Sequence, residues 1–423
     1  MAAPDGERDA IRAVADRIVT LLRPGDDRQP MGRVGVAVSG GSDSTALLLA
    51  AVQVARIHGG TIHAVTVDHG LRPSARSEIR QVAALCDRLG VAHHVVPISL
   101  ARGANLQARA REARYDGLAS LRWAPPLLHR MLLGHTADDA AETLVMRLSR
   151  AAGIDGLARM AERRFDRDVE WLRPALDVTR SDLRAALARR DVPWSDDPSN
   201  EDPAFARVAA RQAIAALDLD VHALAASAGA LENARASLVA RACDIADGAV
   251  TEDRGDLLID RIALRRVPDP DPAPRILLAA LRHVGGRAYG PRRAERNRLV
   301  ADAMNGRPLT LAGCTLRNEA GILRVAREAT RAAPPVPFEP SVPWDGRWHL
   351  TPPAETAGDL TVGALGEDVT RTPWRDTGLP RSSLVASPAV RDGARLIAAP
   401  VAGLANGWTA RTRATFTQTL QRR

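Results

Sequence analysis

Lysine is absent from this chain of 423 residues: all 58 residues in its Lys+Arg count are arginines. That absence excludes the common phosphate-binding loop, whose Gly-Lys-Ser/Thr signature uses a lysine to reach the β- and γ-phosphates. Cysteine is scarce too. Cys86, Cys243 and Cys314 lie far apart with no Cys-x-x-Cys pair, which argues against a disulfide framework or a zinc knuckle and gives a cytoplasmic location as the expectation. Aromatics make up 3%, so the cores must be built from Ala, Leu, Val and Ile. No run approaches the ~20 apolar residues that cross a membrane, and the acidic, polar start is not that of a signal peptide. No membrane partner is expected.

What remains is the composition of a soluble globular protein, 45% hydrophobic and 26% charged, long enough for two or three domains. The net charge of +8 and pI near 10.6 suit a polyanionic partner. Arginine suits RNA in particular, because its planar fork clamps phosphates and stacks on bases. A general Ala/Arg bias explains the same charge, so the charge alone decides nothing.

The pattern along the chain is more specific. Short apolar runs at 34–38, 61–67, 92–98 and 131–134 alternate with helical patterns at 44–57, 74–89 and 105–122. That alternation predicts βαβ units and a parallel sheet covered on both faces. Between the first run and the first helix stand Ser39, Gly40, Gly41, Ser42, Asp43 and Ser44. A strand turning through glycines into a helix start makes an anion site, because the free N–H groups of the first turn and the helix dipole both favour negative charge. The two glycines let backbone approach a phosphate, the serines add hydroxyl donors, and Asp43 is placed to hold Mg²⁺ or orient the loop.

Three further segments belong with this loop. Asp68-His69-Gly70 closes the second run, where it either faces a nucleotide or merely connects. Arg111 and Arg114 share a helix face, as a solvated stripe or as one that meets phosphate or RNA. Residues 134–143 carry His135, Asp138, Asp139 and Glu142 at a helix start. Thr136 and Asp139 fit a capping box, yet a cap uses one acid and this turn has three. Clustered acids raise each other's pKa unless a cation lies among them; Mg²⁺ or an ammonium group would serve. Farther on, Asp196-Asp197-Pro198-Ser199-Asn200 precedes Arg207 and Arg211.

The Ser-Gly-Gly-Ser-Asp-Ser stretch resembles the pyrophosphate loop of N-type ATP pyrophosphatases, which cleave ATP between the α and β phosphates. Taken in order with DHGLR, QARAREARY, GHTADDAAET followed by Arg147, Leu172-Arg173-Pro174 and DDPSN, it resembles the tRNA(Ile)-lysidine synthetase family, closely over 30–215 and more loosely to about 325. One departure is Val208 after Arg207, where the family usually has asparagine. The resemblance implies a ligase that uses ATP and Mg²⁺ to join free L-lysine to the wobble cytidine of tRNA(Ile) with a CAU anticodon. It implies ATP at Ser39, Gly40, Gly41, Ser42, Asp43, Ser44, Asp68 and His69, with Asp43 on the metal. It implies chemistry at Asp43, Arg114, His135, Asp138, Asp139 and Glu142, and RNA at Arg111, Arg114, Arg207, Arg211, Arg292 and Arg293. Rival readings are a tRNA thiolase of the same superfamily and a non-catalytic RNA-binding relative.

The fold class expected is α/β. A parallel-sheet ATP pyrophosphatase (PP-loop) domain spans 1–218, a mainly helical tRNA-recognition domain 219–330, a proline-rich linker 331–343, and a small α+β domain 344–423. A homodimer stays open.

Overall fold

The computed structural model describes residues 9–22, 31–68, 75–98, 106–150, 152–196, 206–286, 291, 293–340, 342–354, 356 and 358–421. Contacts divide the chain into two compact units, 1–235 and 236–423.

The first unit opens with α1 (Ala10–Leu22), whose Ile11, Val14, Ala15, Ile18, Leu21 and Leu22 are buried at helical spacing. Then strands and helices alternate: β1 (Arg33–Ala37), α2 (Ser42–His58), β2 (Thr61–Asp68), α3 (Ala75–Leu89), β3 (Ala92–Pro97), α4 (Leu106–Ser120), β4 (Arg130–Leu132) and α5 (Ala137–Leu148). The short α6 (Ile154–Leu157) precedes a hairpin of β5 (Arg163–Asp166) and β6 (Val169–Leu172). Helices α7 (Arg180–Ala188) and α8 (Ala206–Ala216) follow, and α9 (Val221–Ala249) begins in this unit and ends in the second.

The six strands form one sheet in the order β3-β2-β1-β4-β6-β5, parallel except for the edge strand β5. Successive residues serve opposite faces, as strand geometry requires. Ile62, Ala64 and Leu132 join the core that holds α1, α2 and α7, while Val65, Met131, Leu133 and Trp171 join the core under α4. In register, Val36 stands beside Ala64 on one side and Leu132 on the other. Gly35 leaves room there for Met131, whose side-chain tip would lie 2.7 Å from a Cβ and would have to shift. The strand order reverses between β1 and β4, and open α/β sheets bind ligands at that switch point. The loop after β1 and the turn after β4 both leave the sheet there.

The second unit holds two antiparallel sheets and a two-stranded ribbon. Strands β7 (Val250–Asp253), β8 (Asp256–Asp260), β9 (Leu309–Leu311), β10 (Cys314–Glu319) and β11 (Ile322–Arg327) pair in the order β7-β8-β11-β10-β9. Helices α10 (Arg261–Arg266), α11 (Pro272–Gly285) and α12 (Arg293–Met304) accompany this sheet. Helical residues outnumber strand residues in 219–330, as expected, but the antiparallel sheet was not legible. The other sheet contains β12 (Val336–Pro337), β14 (Leu360–Ala364), β15 (Pro388–Asp392) and β16 (Arg395–Ala398), and β13 (Trp348–Thr351) pairs β17 (Thr409–Thr412). Helices α13 (Arg381–Val385) and α14 (Phe416–Gln421) complete it.

Each sheet has its own core, although Phe416 and Leu420 of α14 return to the earlier one. Within the proline-rich stretch most described residues are exposed, but β12 pairs β14, and Ala332, Ala333 and Phe338 lie partly buried against the later core. Among the described residues no single helix is long and apolar enough to cross a membrane; α8 and α9 reach that length only as a pair bent by 119°.

Candidate active site

Helix α2 begins behind Gly41 with no side-chain cap. Gly40 has φ +90°, a conformation other residues rarely adopt, and it turns the chain from β1 into the helix. Ser44 holds the loop's shape: its Oγ donates to Gly41 O (3.0 Å) and accepts from Ser39 N–H (3.1 Å), with Ser39 Oγ 3.2 Å away. Ser44 is therefore spent on the loop itself, whereas the Ser39 residue is exposed. Ser195 N–H donates to Gly40 O (2.9 Å), so the chain after α7 packs on the loop. Gly41 is extended (φ −71°), and a Cβ there would meet only ordinary contacts, so backbone strain does not demand glycine at this position.

Gly134 fixes the second segment against the first. A Cβ on it would lie 3.2 Å from Asp43 C, Ser44 Cα and Ser44 N, so the start of α5 sits directly on the phosphate loop. The capping box read from sequence is present, with Asp139 Oδ2 accepting from Thr136 N–H (3.0 Å) and Thr136 Oγ1 (3.3 Å). Asp139 Oδ1 takes Arg207 (3.2 Å). Glu142, 2% exposed at its side chain, takes Arg211 (2.8 Å) and lies 3.8 Å from Arg180. Asp138 Oδ2 accepts the backbone N–H of Arg180 (2.7 Å).

The cation that the acidic cluster calls for is thus arginine in the free protein. Arg180 stands at the centre. Its Nε donates to Asp43 Oδ2 (3.0 Å), linking the loop to the acids, and the carboxylates around it overcome burial and raise its pKa further. Sequence reading missed Arg180. Its signal was a base at the first position of α7, just after the N-cap Thr179, where the helix dipole disfavours positive charge.

Electrostatics sort the groups. Burial depresses His135 far below the ordinary histidine value despite Asp139 beside it, so the ring stays neutral; its Nδ1 is buried with no partner among the described residues. Burial opposes the charged form of Asp139, but the Arg207 guanidinium and the Thr136 N–H outweigh it and hold its pKa below the ordinary aspartate value. Burial lifts Glu142 and Asp43, with Arg211 and Arg180 respectively opposing that rise. One Glu142 oxygen, Oε2, is buried without a partner among the described residues.

Other candidates have different roles. Arg114 is largely buried, which lowers its pKa, and makes no hydrogen bond or ion pair to a described residue. Arg111 is exposed and lies 5.3 Å over the Tyr115 ring. Arg147 donates to Gly156 O (2.6 Å) and Ala158 O (3.4 Å), and so fixes the segment around α6. Arg173 is buried and donates to Ala161 O (2.7 Å). Val208, the departure from the family pattern, is buried with Ala210 and Ile214 and leaves the Arg207–Asp139 pair intact. Asp68 ends β2 and its O accepts from Ile98 N–H (2.9 Å). His69, Asp197 to Asn200, Arg292 and the Arg293 side chain lie outside the described residues.

Magnesium fits Asp43 only in a limited sense. Among the described residues no three His, Cys, Asp or Glu side chains converge as a metal site. A single carboxylate matches an ion held mainly by phosphate and water, as Mg²⁺ commonly is. The cysteines are all buried and free, and burial pushes Cys86 up to about 11, the opposite of a reactive thiolate.

Residues 12–217 match the PP-loop domain family. The chain is 40% identical to the tRNA(Ile)-lysidine synthase of Ruegeria pomeroyi, over 94% of this chain and 95% of that one. It is 34% identical to the tRNA(Ile)-lysidine synthase of Rhizobium meliloti, over 86% and 84%. Among solved structures it is similar to the U34-tRNA thiolase NcsA from Methanococcus maripaludis with its [4Fe-4S] cluster, at 14% identity and TM-score 0.44 over 53% of this chain and 78% of that one. A likeness so distant carries no argument. With an uncapped phosphate loop packed on an acidic helix start, and full-length relatives of one kind, the chain belongs to the tRNA(Ile)-lysidine synthase family.

Proposed function

We propose that the chain is a ligase that uses ATP to join free L-lysine to C2 of the wobble cytidine of tRNA(Ile) with a CAU anticodon. The observation that carries this reading is the packing of two helix starts through Gly134, one uncapped and one acidic. In the first step the cytidine C2 oxygen attacks the α-phosphate of ATP and pyrophosphate leaves. The N–H groups of Ser42, Asp43 and Ser44, with the Ser39 hydroxyl, hold the phosphates being released; preorganised donors of this kind stabilise charge as it develops. Mg²⁺ would be held by Asp43 with the phosphates and would neutralise their charge.

In the second step the lysine ε-amine bonds to C2, AMP leaves, and the amine gives up a proton. Asp138, Asp139 and Glu142 receive the ammonium. Neutral His135 orients it as a hydrogen-bond acceptor and is too weak a base to take the proton. Glu142, the carboxylate that burial lifts, is the better acceptor. Arg111, Arg114, Arg207 and Arg211 contact RNA phosphates or the reacting nucleotide; Arg292 and Arg293 extend that contact, and 219–330 adds tRNA recognition. A homodimer remains part of the proposal, to be read from sedimentation velocity.

A thiolase reading needs nucleophilic or cluster-binding cysteines, and the burial of all three opposes it. A non-catalytic RNA-binding relative would have no use for the open start of α2. The test is transfer of labelled lysine to a tRNA(Ile) transcript with a CAU anticodon. Transfer that requires ATP supports the reading. No transfer from active preparations, or transfer to any tRNA alike, contradicts it.

A further inference from the structure

Asp139 and Glu142 are already paired, and their partners come from the arginines assigned to RNA. Arg207 Nη1 donates to Asp139 Oδ1 (3.2 Å), and Arg211 Nε donates to Glu142 Oε1 (2.9 Å). Both arginine side chains are more than two-fifths exposed, at 44% and 43%, while their acids are 10% and 2% exposed. Each arginine therefore reaches a buried acid with one end of its guanidinium while much of its side chain stays at the surface. Phosphate oxygens accept from a guanidinium in paired, charge-assisted bonds.

Resting on the functional reading above, we propose that Arg207 and Arg211 are resident counterions that compete with the lysine ammonium for Asp139 and Glu142, and that tRNA phosphates draw them off, so lysine binds well only after tRNA. These two arginines thereby set the order of substrates. Two buried polar atoms, Glu142 Oε2 and His135 Nδ1, have no partner among the described residues; an ammonium, with three donors, can serve the carboxylate oxygen that the arginines leave unserved. Arg180 lies 3.8 Å from Glu142, so that acid is not stranded when Arg211 departs. The order has a chemical use. A lysine amine held beside ATP before the cytidine has reacted is itself a nucleophile for the α-phosphate.

Coupling of this kind is reciprocal: tRNA must tighten lysine by the factor by which lysine tightens tRNA. Equilibrium dialysis of labelled lysine against the full chain, without ATP, reads it directly, with and without the tRNA(Ile) transcript. The expected result is lysine binding about fivefold tighter or more with tRNA, the lower end of common coupling factors. Arg207→Gln and Arg211→Gln should each tighten lysine in the absence of tRNA and lose part of the tRNA effect. Equal lysine affinity with and without tRNA overturns the proposal while leaving the function standing. Variants that weaken lysine in both conditions also overturn it, because the arginines would then belong to the lysine site. Lysine bound in neither condition, with none transferred to tRNA, removes the functional reading and this proposal with it.

Discussion

Two helix starts meet at the switch point of the sheet, and they treat the same dipole in opposite ways. The start of α2 has no side-chain cap, and its serine hydroxyls brace the loop rather than fill it. The start of α5 is closed by its own Thr136–Asp139 box and lined with acids that arginines of α7 and α8 already neutralise. An open start is a place for an anion; a closed, acidic start whose cations come from elsewhere is a place for a cation that can replace them. Gly134 brings the two into one site, because a Cβ there would press to 3.2 Å from backbone atoms of Asp43 and Ser44.

The comparison can be broken from either side. The largest effect belongs to Asp43: its replacement by Ala should abolish ATP-dependent pyrophosphate release and leave tRNA binding, measured on filters, nearly unchanged. Equal loss of both would make the loop a structural element. Gly134→Val should separate the two helix starts and slow pyrophosphate release by about a hundredfold, as misplacement near 1 Å often does; an unchanged rate would mean that their contact is incidental.

A smaller effect concerns pH. Burial lifts Glu142 above its ordinary 4.5, so as pH falls it loses its charge earlier than a free glutamate does. The profile of kcat/KM for lysine should fall on the acid side with a component above 4.5 that is missing in Glu142→Gln. The same acid limb in both proteins would contradict the assignment. The smallest effect is on stability. Thr136→Ala removes the α5 cap and should cost about 1 kcal/mol in urea unfolding, whereas Ser42→Ala at the uncapped start should cost less.

Much of the first unit was legible because its signals are local. Apolar runs and helical spacing placed β1 to β4 and α2 to α5 within a few residues, and the open loop and the capping box could be read from Gly40, Gly41, Thr136 and Asp139. Four hairpins were not legible. They turn at Arg167-Asp168, Arg254-Gly255, Ala312-Gly313 and Ala320-Gly321, each with positive φ at both positions, but none carries the Asn-Gly or Asp-Gly pair that usually announces such a turn. The antiparallel sheet of the second unit was missed for that reason. Arg180 was missed because its importance lies in three carboxylates that only folding brings near it. In a chain with 58 arginines, its one local signal, a base at the first position of α7, was easily passed over.

The division of labour between the two helix starts is tested most directly by Glu142→Gln, in a single turnover that follows pyrophosphate release and lysidine formation on the same tRNA(Ile) transcript. The account predicts pyrophosphate released at close to the parent rate, with lysidine formation slowed and rescued only by much higher lysine. Pyrophosphate release and lysidine formation falling together, with no rescue by lysine, would contradict it.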